Sequence, residues 1–170
     1  MHNPKIILLR GNSGSGKSTV AKAMQEKIGR GTLIISQDYV RREMLWVNDG
    51  TNNQAIHLLE NLIAYGHKNC TLSILEGIFY SKTYENLFHT AKNLYGDNIF
   101  AYYFDLPFEE TLKRHEQKQM TQKHYFGEAE MKKWWREKDL LTHINEKIIT
   151  KDMEFADIIS QITDDLKGGA

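Results

Sequence analysis

Residues 11–18 read Gly-Asn-Ser-Gly-Ser-Gly-Lys-Ser, and Thr19 follows. Three glycines and one lysine at this spacing fit the pattern G-x-x-x-x-G-K-[ST] completely. The chemistry open to such a segment is to wrap a polyphosphate. Gly11, Gly14 and Gly16 let backbone amides, those of Asn12, Ser13 and Ser15 among them, converge on phosphate oxygens without Cβ obstruction. A helix beginning near Gly16 aims its unpaired amides and its positive end at the anion. Lys17 is placed to bridge β- and γ-phosphate oxygens, Ser18 to ligate Mg²⁺, and Thr19 to help hold the α-phosphate. The bland alternative is a glycine–serine turn ahead of an ordinary helix. The segment sits after an apolar run and before a helix-like one, as phosphate binding requires. The pattern implies a nucleoside triphosphate, but it does not separate a kinase from a switch or a motor.

A second reactive set is Ser-Gln-Asp-Tyr-Val-Arg-Arg-Glu-Met-Leu, 36–45. It follows the second strand-like run, and strand ends at that edge of an α/β sheet face the ligand crevice. Asp38 can there accept the proton of a substrate hydroxyl near the γ-phosphate. Arg41, one helical turn on and on the same face, can bind an anionic or polar group of that acceptor, whereas Arg42 is expected to point elsewhere. The competing reading makes Asp38 the N-cap of a helix over 39–46, with both arginines solvated.

Glu76 ends the apolar run 70–76. An acid there can organise the Mg²⁺ shell through water or contact the acceptor; the alternative is a solvent-facing acid at a strand end. Gly77 permits close backbone approach to a ligand. After Pro107, residues 108–118 read as a helix on which Arg114 and Lys118, four apart, share a face. From Lys113 to Lys138, eight Lys/Arg stand against four Glu. A basic cover over polyphosphate explains that excess, and so does a solvated helix face. Trp134 and Trp135 cannot share one helix face; one is expected in the core and the other against a lid or an acceptor ring. The seven histidines form no H-x-x-x-H or His/Cys cluster along the sequence, and no zinc site is expected.

The elements that must position these residues are legible from periodicity. Runs at 5–10, 32–37, 70–76, 98–104 and 146–150 are nearly continuous in Ile, Leu, Tyr and Phe, which suits a parallel sheet buried on both faces. Helical spacing recurs between them: Ile56, Leu59 and Ile63; Tyr84, Leu87, Phe88, Ala91 and Tyr95; Phe155, Ile158, Ile159, Ile162 and Leu166. Gly29 and Gly31 are expected to end the first helix, and Gly66 the one before the third strand. Strand–helix alternation implies an α/β fold with right-handed crossovers. No linker interrupts it, so residues 1–170 are expected to form one domain. About 119–127 would be a mobile lid and 167–170 a flexible tail.

Composition sets the outer limits. The chain has 170 residues, 41% apolar and 26% charged, with 22 basic and 22 acidic side chains. Zero formal charge argues against a coat for nucleic acid or anionic membrane. A single cysteine, Cys70, suits a reducing compartment. With no apolar run near the roughly 20 residues of a membrane span, the expectation is a cytoplasmic protein without membrane contact.

Taken together, Gly11–Thr19, Asp38 with Arg41, and the later segments resemble the small P-loop kinases that include chloramphenicol phosphotransferase, zeta toxin and the 5′-kinase domain of polynucleotide kinase. The resemblance covers most of the chain in order and spacing; only the phosphate loop is highly specific. It implies a three-layer P-loop nucleoside triphosphate hydrolase fold, an about five-stranded parallel sheet, nucleoside-monophosphate-kinase-like with a short lid. It implies ATP and Mg²⁺ as cofactors and an aspartate after the second strand, matched by Asp38, as general base. In the polynucleotide kinases an arginine three positions later contacts the acceptor phosphate, and Arg41 matches it. The group carries two lid arginines, one near the base and one at the phosphates. Arg114 matches the first, but Lys118 stands at the second, supplying charge without a planar fork. The loop after the last strand, here 150–153, passes over the adenine.

The expected function is thus transfer of the γ-phosphate to a hydroxyl of a small molecule or nucleoside. Nucleic acid would enter only as a 5′-hydroxyl substrate. A regulatory nucleotide-binding protein is the reading from another class. The D-x-x-G after the third strand and the N-K-x-D that GTPase switches need do not occur. The acceptor and any protein partner are not named by the sequence.

Overall fold

The computed structural model describes residues 3–118 and 127–168. Five parallel strands form one sheet in the order β2-β3-β1-β4-β5: β1 Lys5–Gly11, β2 Leu33–Ser36, β3 Leu72–Gly77, β4 Ile99–Asp105 and β5 Glu146–Thr150. All five strands expected from apolar runs are present, with ends shifted by a residue or two.

β1 shows why its run is continuous rather than alternating. Ile6 and Leu8 face one core with Ile35, Leu75 and Ala101, covered by α3 (Gln54–Asn69) and α4 (Glu85–Tyr95). Ile7 and Leu9 face the other core with Ile74, Tyr102 and Phe104, covered by α1 (Lys17–Ile28) and α7 (Phe155–Gly168). Each strand residue therefore meets a helix layer on one side or the other, and removing each such side chain from water contributes about 1.5–3 kcal/mol. The result is the three-layer α/β arrangement with a five-stranded parallel sheet that was expected.

The helical stripes land as spaced, with one exception. Tyr84, Leu87, Phe88, Ala91 and Tyr95 are all buried, as are Leu59 and Ile63, while Phe155 is exposed. Gly29 caps α1 with φ 108°. Gly66 does not end a helix: α3 runs through it to Asn69. A Cβ there would collide with Ser73 Oγ, so this glycine serves close helix–sheet packing rather than termination. Lys167 and Gly168, expected in a frayed tail, belong to α7. Of the expected lid, about 119–127, residues 119–126 lie outside the described residues, as do 169–170 and the side chain of Lys118.

The helix expected over 39–46 is different in kind. A single turn, α2 (Gln37–Tyr39), passes into a π-helical turn over Val40–Met44, closed by the Leu45 amide donating to the Val40 carbonyl at 3.1 Å. Two shorter helices, α5 (Phe108–Lys118) and α6 (Glu128–Trp134), complete the chain beside the phosphate loop. No helix among the described residues is long and apolar enough to cross a membrane.

Candidate active site

Parallel register delivers the chemistry to one sheet edge. Leu9 pairs with Glu76, Arg10 with Gly77, and Ser36 with Glu76. The end of β1, Glu76 of β3 and the start of α2 therefore emerge side by side at the carboxyl ends of the strands, where α/β sheets bind ligands.

The segment 11–18 leaves β1 as a tight loop and enters α1. Gly11, Gly14 and Gly16 have φ of 139°, 74° and 100°. A Cβ at Gly14 would stand 2.5 Å from the Thr111 carbonyl oxygen of α5, so the loop needs glycine for both conformation and space. Lys17 is 5% exposed. Its Nζ donates to the Asn12 carbonyl at 2.7 Å and to Ser15 Oγ at 3.0 Å, curled over the loop it would serve. Ser18 Oγ donates to Glu76 Oε2 at 2.9 Å. Glu76 is 5% exposed, so the solvent-facing alternative for this acid does not hold.

Arg114 reaches back across the loop. Its Nε donates to Glu110 Oε1 at 2.6 Å and its Nη1 lies 3.5 Å from the Ser15 carbonyl oxygen. Glu110 is held below the ordinary carboxylate range chiefly by that hydrogen bond. A cavity of about 410 Å³ opens here. Gly14, Ser15, Gly16, Thr19 and Arg114 form its polar end, and Phe104, Ile149, Met153 and Phe155 its apolar end. Phe155, out of the core, finds its place in this wall.

On the other side of the loop a second cavity of about 590 Å³ is lined by Ser13, Asp38, Arg41, Arg42, Asp49, Tyr80, Lys133, Trp134 and Arg136. Asp38 is not an N-cap. It sits within α2, half exposed, and its Oδ1 accepts from Arg41 Nη2 at 3.1 Å and Arg42 Nε at 3.2 Å. Arg42 therefore does not point elsewhere: side chains three and four positions on both lie on the face of Asp38, so both arginines converge on the same carboxylate. Arg41 is largely buried, donates to the Val47 carbonyl at 3.3 Å, and keeps its Nε without a partner among the described residues.

Two supports escaped sequence reasoning. Asn12 Nδ2 donates to the Arg136 carbonyl at 2.7 Å while Asn12 Oδ1 accepts from the Arg136 amide at 3.0 Å. The phosphate loop is thereby tied to the stretch after α6, and the Arg136 guanidinium lies over the Tyr80 ring at 5.0 Å. Burial pushes the Tyr80 phenol up, although Arg136 pulls the other way, so its hydroxyl keeps its proton at neutral pH and donates to the Trp134 carbonyl at 2.8 Å. Neither tryptophan enters the core: Trp134 and Trp135 are both half-buried, and α6 buries only Met131. Trp135 packs edge-on against Phe108, and Trp134 lines the second cavity.

The other support is Arg10, 1% exposed at the end of β1. Nη1 meets both carboxylate oxygens of Glu146 at 2.8 Å, and Nη2 bonds the Asp139 carbonyl at 2.8 Å and the Phe79 carbonyl at 2.7 Å. An arginine inside an apolar run was the only signal, and the run hid it. A smaller network does similar work under α2. Gln37 Nε2 and Asp49 Oδ1 both bond the Tyr84 hydroxyl, at 2.8 and 2.6 Å, and the Ile78 amide donates to Gln37 Oε1 at 3.2 Å. Burial, reinforced by Asp49, raises the Tyr84 phenol well above its ordinary value.

Among known proteins, a family described as an AAA domain matches residues 6–140, well over half of the chain, and the chain belongs to that family. No curated protein matches it in sequence. In structure it is similar to a gluconokinase from Sinorhizobium meliloti, at 14% identity and a TM-score of 0.67, over 99% of this chain and 94% of that one. It is similar to the Mycobacterium tuberculosis APS kinase in complex with AMPPNP and APS, at 17% identity and a TM-score of 0.66, over 98% and 99%. A chain of the Pnkp1/Rnl/Hen1 RNA repair complex is similar over 79% of this chain and 43% of its own, at 22% identity and a TM-score of 0.59. These likenesses establish the P-loop kinase fold.

Proposed function

We propose that this AAA-domain family member is an ATP-dependent phosphotransferase that moves the γ-phosphate to a hydroxyl of a small molecule or nucleoside. The observation that carries the reading is the phosphate loop standing as a partition between two cavities. Ser13 faces the one holding Asp38, and Gly14, Ser15, Gly16 and Thr19 face the one with apolar walls. A donor bound on one side and an acceptor on the other would meet across Lys17, as in-line transfer requires. The solved APS kinase similar in fold holds AMPPNP and APS, which agrees with that use of the scaffold.

In this reading the apolar cavity takes the nucleoside, with the segment 150–153 and Phe155 against the base, while Arg114, matched by resemblance to the arginine near the base, reaches the phosphate loop at Ser15 and so lies over the phosphates instead. Lys17 leaves its loop contacts for β- and γ-oxygens. Ser18 and Glu76 supply hard oxygen donors beside the loop, and these fit Mg²⁺, Ser18 directly and Glu76 through water. The metal would neutralise phosphate charge. Asp38 takes the proton from the acceptor hydroxyl. Its pairing with Arg41 and Arg42 fixes its position, and its half-exposed carboxylate is open to substrate from the cavity.

Arg41, Arg42, Lys133 and Arg136 outnumber Asp38 and Asp49 around the second cavity. That excess, with the orphan Arg41 Nε, favours an acceptor bearing an anionic group near its hydroxyl. A polynucleotide 5′-hydroxyl, flanked by phosphate, is the second reading the same cations support. The test is titration with ATP and Mg²⁺, then an ADP-release screen over anionic sugars, nucleosides, nucleotides and a 5′-hydroxyl oligonucleotide. One acceptor raising ADP release far above background establishes transfer. No nucleotide binding would overturn the reading, and nucleotide binding with a nucleotide-dependent protein partner but no acceptor would favour a regulatory protein.

A further inference from the structure

Metal-ligating side chains also converge outside the phosphate loop. Glu85 and His89 lie one turn apart on α4, and His143 comes from the stretch that leads into β5. One ligand atom from each falls within 4.8 Å of the others. Glu85 Oε1 stands 3.9 Å from His89 Nε2, and the two imidazole centroids are 5.1 Å apart with the rings tilted by 36°. No histidine spacing in the sequence announces this, because the third ligand arrives from a remote segment.

The two pieces that carry these ligands are fixed by contacts of their own. On α4, Leu87, Phe88 and Ala91 are buried in the core. The stretch before β5 is pinned at Asp139 by Arg10 and by the Ser81 hydroxyl, at Leu141 by its amide donating to Glu146 Oε2 at 2.8 Å, and at Ile144 by burial. His143 is thus held opposite α4 by bonds that do not involve it, and small rotamer changes bring three ligand atoms onto one ion.

Two imidazoles and one carboxylate suit zinc-class divalent metals rather than Mg²⁺ or Ca²⁺. Three protein ligands leave a fourth tetrahedral position for water or an outside ligand. With Ser81, Lys82, Phe88 and Leu140, the three residues line a cavity of about 210 Å³. We propose that Glu85, His89 and His143 form a three-ligand site for a Zn²⁺-class metal ion, separate from the phosphate loop, that clasps α4 to the stretch before β5. The ion stabilises the fold by linking two segments distant in sequence, because it binds the native arrangement and not the unfolded chain.

The test uses the whole chain without nucleotide, in excess Mg²⁺ so that hard oxygen sites are filled. Calorimetric titration with Zn²⁺ is expected to give one ion per chain, with a Tm that rises with Zn²⁺ concentration. Co²⁺ is expected to give the intense visible absorption of a four-coordinate site. His89→Ala and His143→Ala, both at exposed positions, are expected to weaken Zn²⁺ at least about tenfold, since even removing a partner of a ligand costs about ten- to a hundredfold. Both should abolish the Tm rise, and Glu85→Gln should weaken binding less. Cys70→Ser should leave binding unchanged. Absence of saturable binding, unchanged affinity in both histidine variants, or loss of binding in Cys70→Ser alone would overturn the proposal. None of these readouts depends on phosphotransfer.

Discussion

Ser18 and Glu76 meet at the sheet edge, the hydroxyl donating to a carboxylate oxygen at 2.9 Å although the residues belong to α1 and β3. In the proposed reading, this buried acid beside the hydroxyl of the phosphate loop shapes the Mg²⁺ shell. Glu76→Gln keeps the size and a hydrogen bond but removes the charge. The Mg²⁺ concentration needed for half-maximal turnover should rise about ten- to a hundredfold, with nucleotide affinity in the absence of metal unchanged. A Mg²⁺ titration of ATP turnover checks this, and an unaltered Mg²⁺ dependence would assign Glu76 to the acceptor instead.

Asp38 is read as the proton acceptor. Asp38→Asn preserves shape and the geometry of α2, so ATP binding should persist while transfer falls about 10²- to 10⁴-fold. Stopped assays of product with the best acceptor, alongside ATP titration, separate the two effects. Transfer at the parent rate would remove Asp38 from the mechanism.

Arg41 is read as the acceptor's anion contact. Arg41→Lys retains charge but loses the planar fork, and it should raise KM for an anionic acceptor about tenfold with a smaller effect on kcat. Arg41→Ala should raise KM further. A neutral analogue of the same acceptor should show little difference among the three proteins, and equal losses for both acceptors would mean Arg41 acts only by holding Asp38.

Arg10 is a matter of stability. Its loss strands Glu146, whose side chain is 1% exposed, beside the Asp139 carboxylate. Arg10→Met should cost about 3–5 kcal/mol in urea unfolding, because breaking a buried pair leaves an uncompensated charge. Adding Glu146→Gln should recover part of it, which a double-mutant cycle measures.

Asp165 gives a pH dependence. Tyr102 and Lys147 each donate to it at 2.6 Å. Burial raises its pKa, but these two hydrogen bonds outweigh burial and hold the carboxyl below its ordinary value. The native state thus takes up the proton at lower pH than the unfolded chain does. The contribution is full above the unfolded value of about 3.9 and is lost as pH falls through the lower native value. Lys147 makes the larger of the two lowering contributions, but it is half exposed, so solvent screens its share. Asp165→Asn should cost about 1 kcal/mol at neutral pH. The gap between variant and parent should close in acid; a gap independent of pH would contradict the pairing.

Much of this was legible in the chain itself. The phosphate loop could be read because its function requires particular residue types at fixed local spacing, and the five strands because burial on both faces leaves continuous apolar runs. Asp38 and Glu76 could be located because strand ends in such a sheet share an edge. Local spacing could not reveal contacts made across the fold. The Arg10–Glu146 pair, the Asn12 clamp on Arg136 and the Glu85–His89–His143 cluster each join segments far apart in sequence. Gly66 looked like a helix end, yet its role was decided by Ser73 on a neighbouring strand. Arg42 was misassigned because only the i+3 neighbour of Asp38 was placed on its face, although the i+4 neighbour shares that face as well. The sequence by itself determined the fold class and the phosphate-binding loop, since both follow from periodicities of a few residues. Only the tertiary structure decided which charges pair, which glycines are packing sites and which cavities flank the loop, because those follow from sheet order and register.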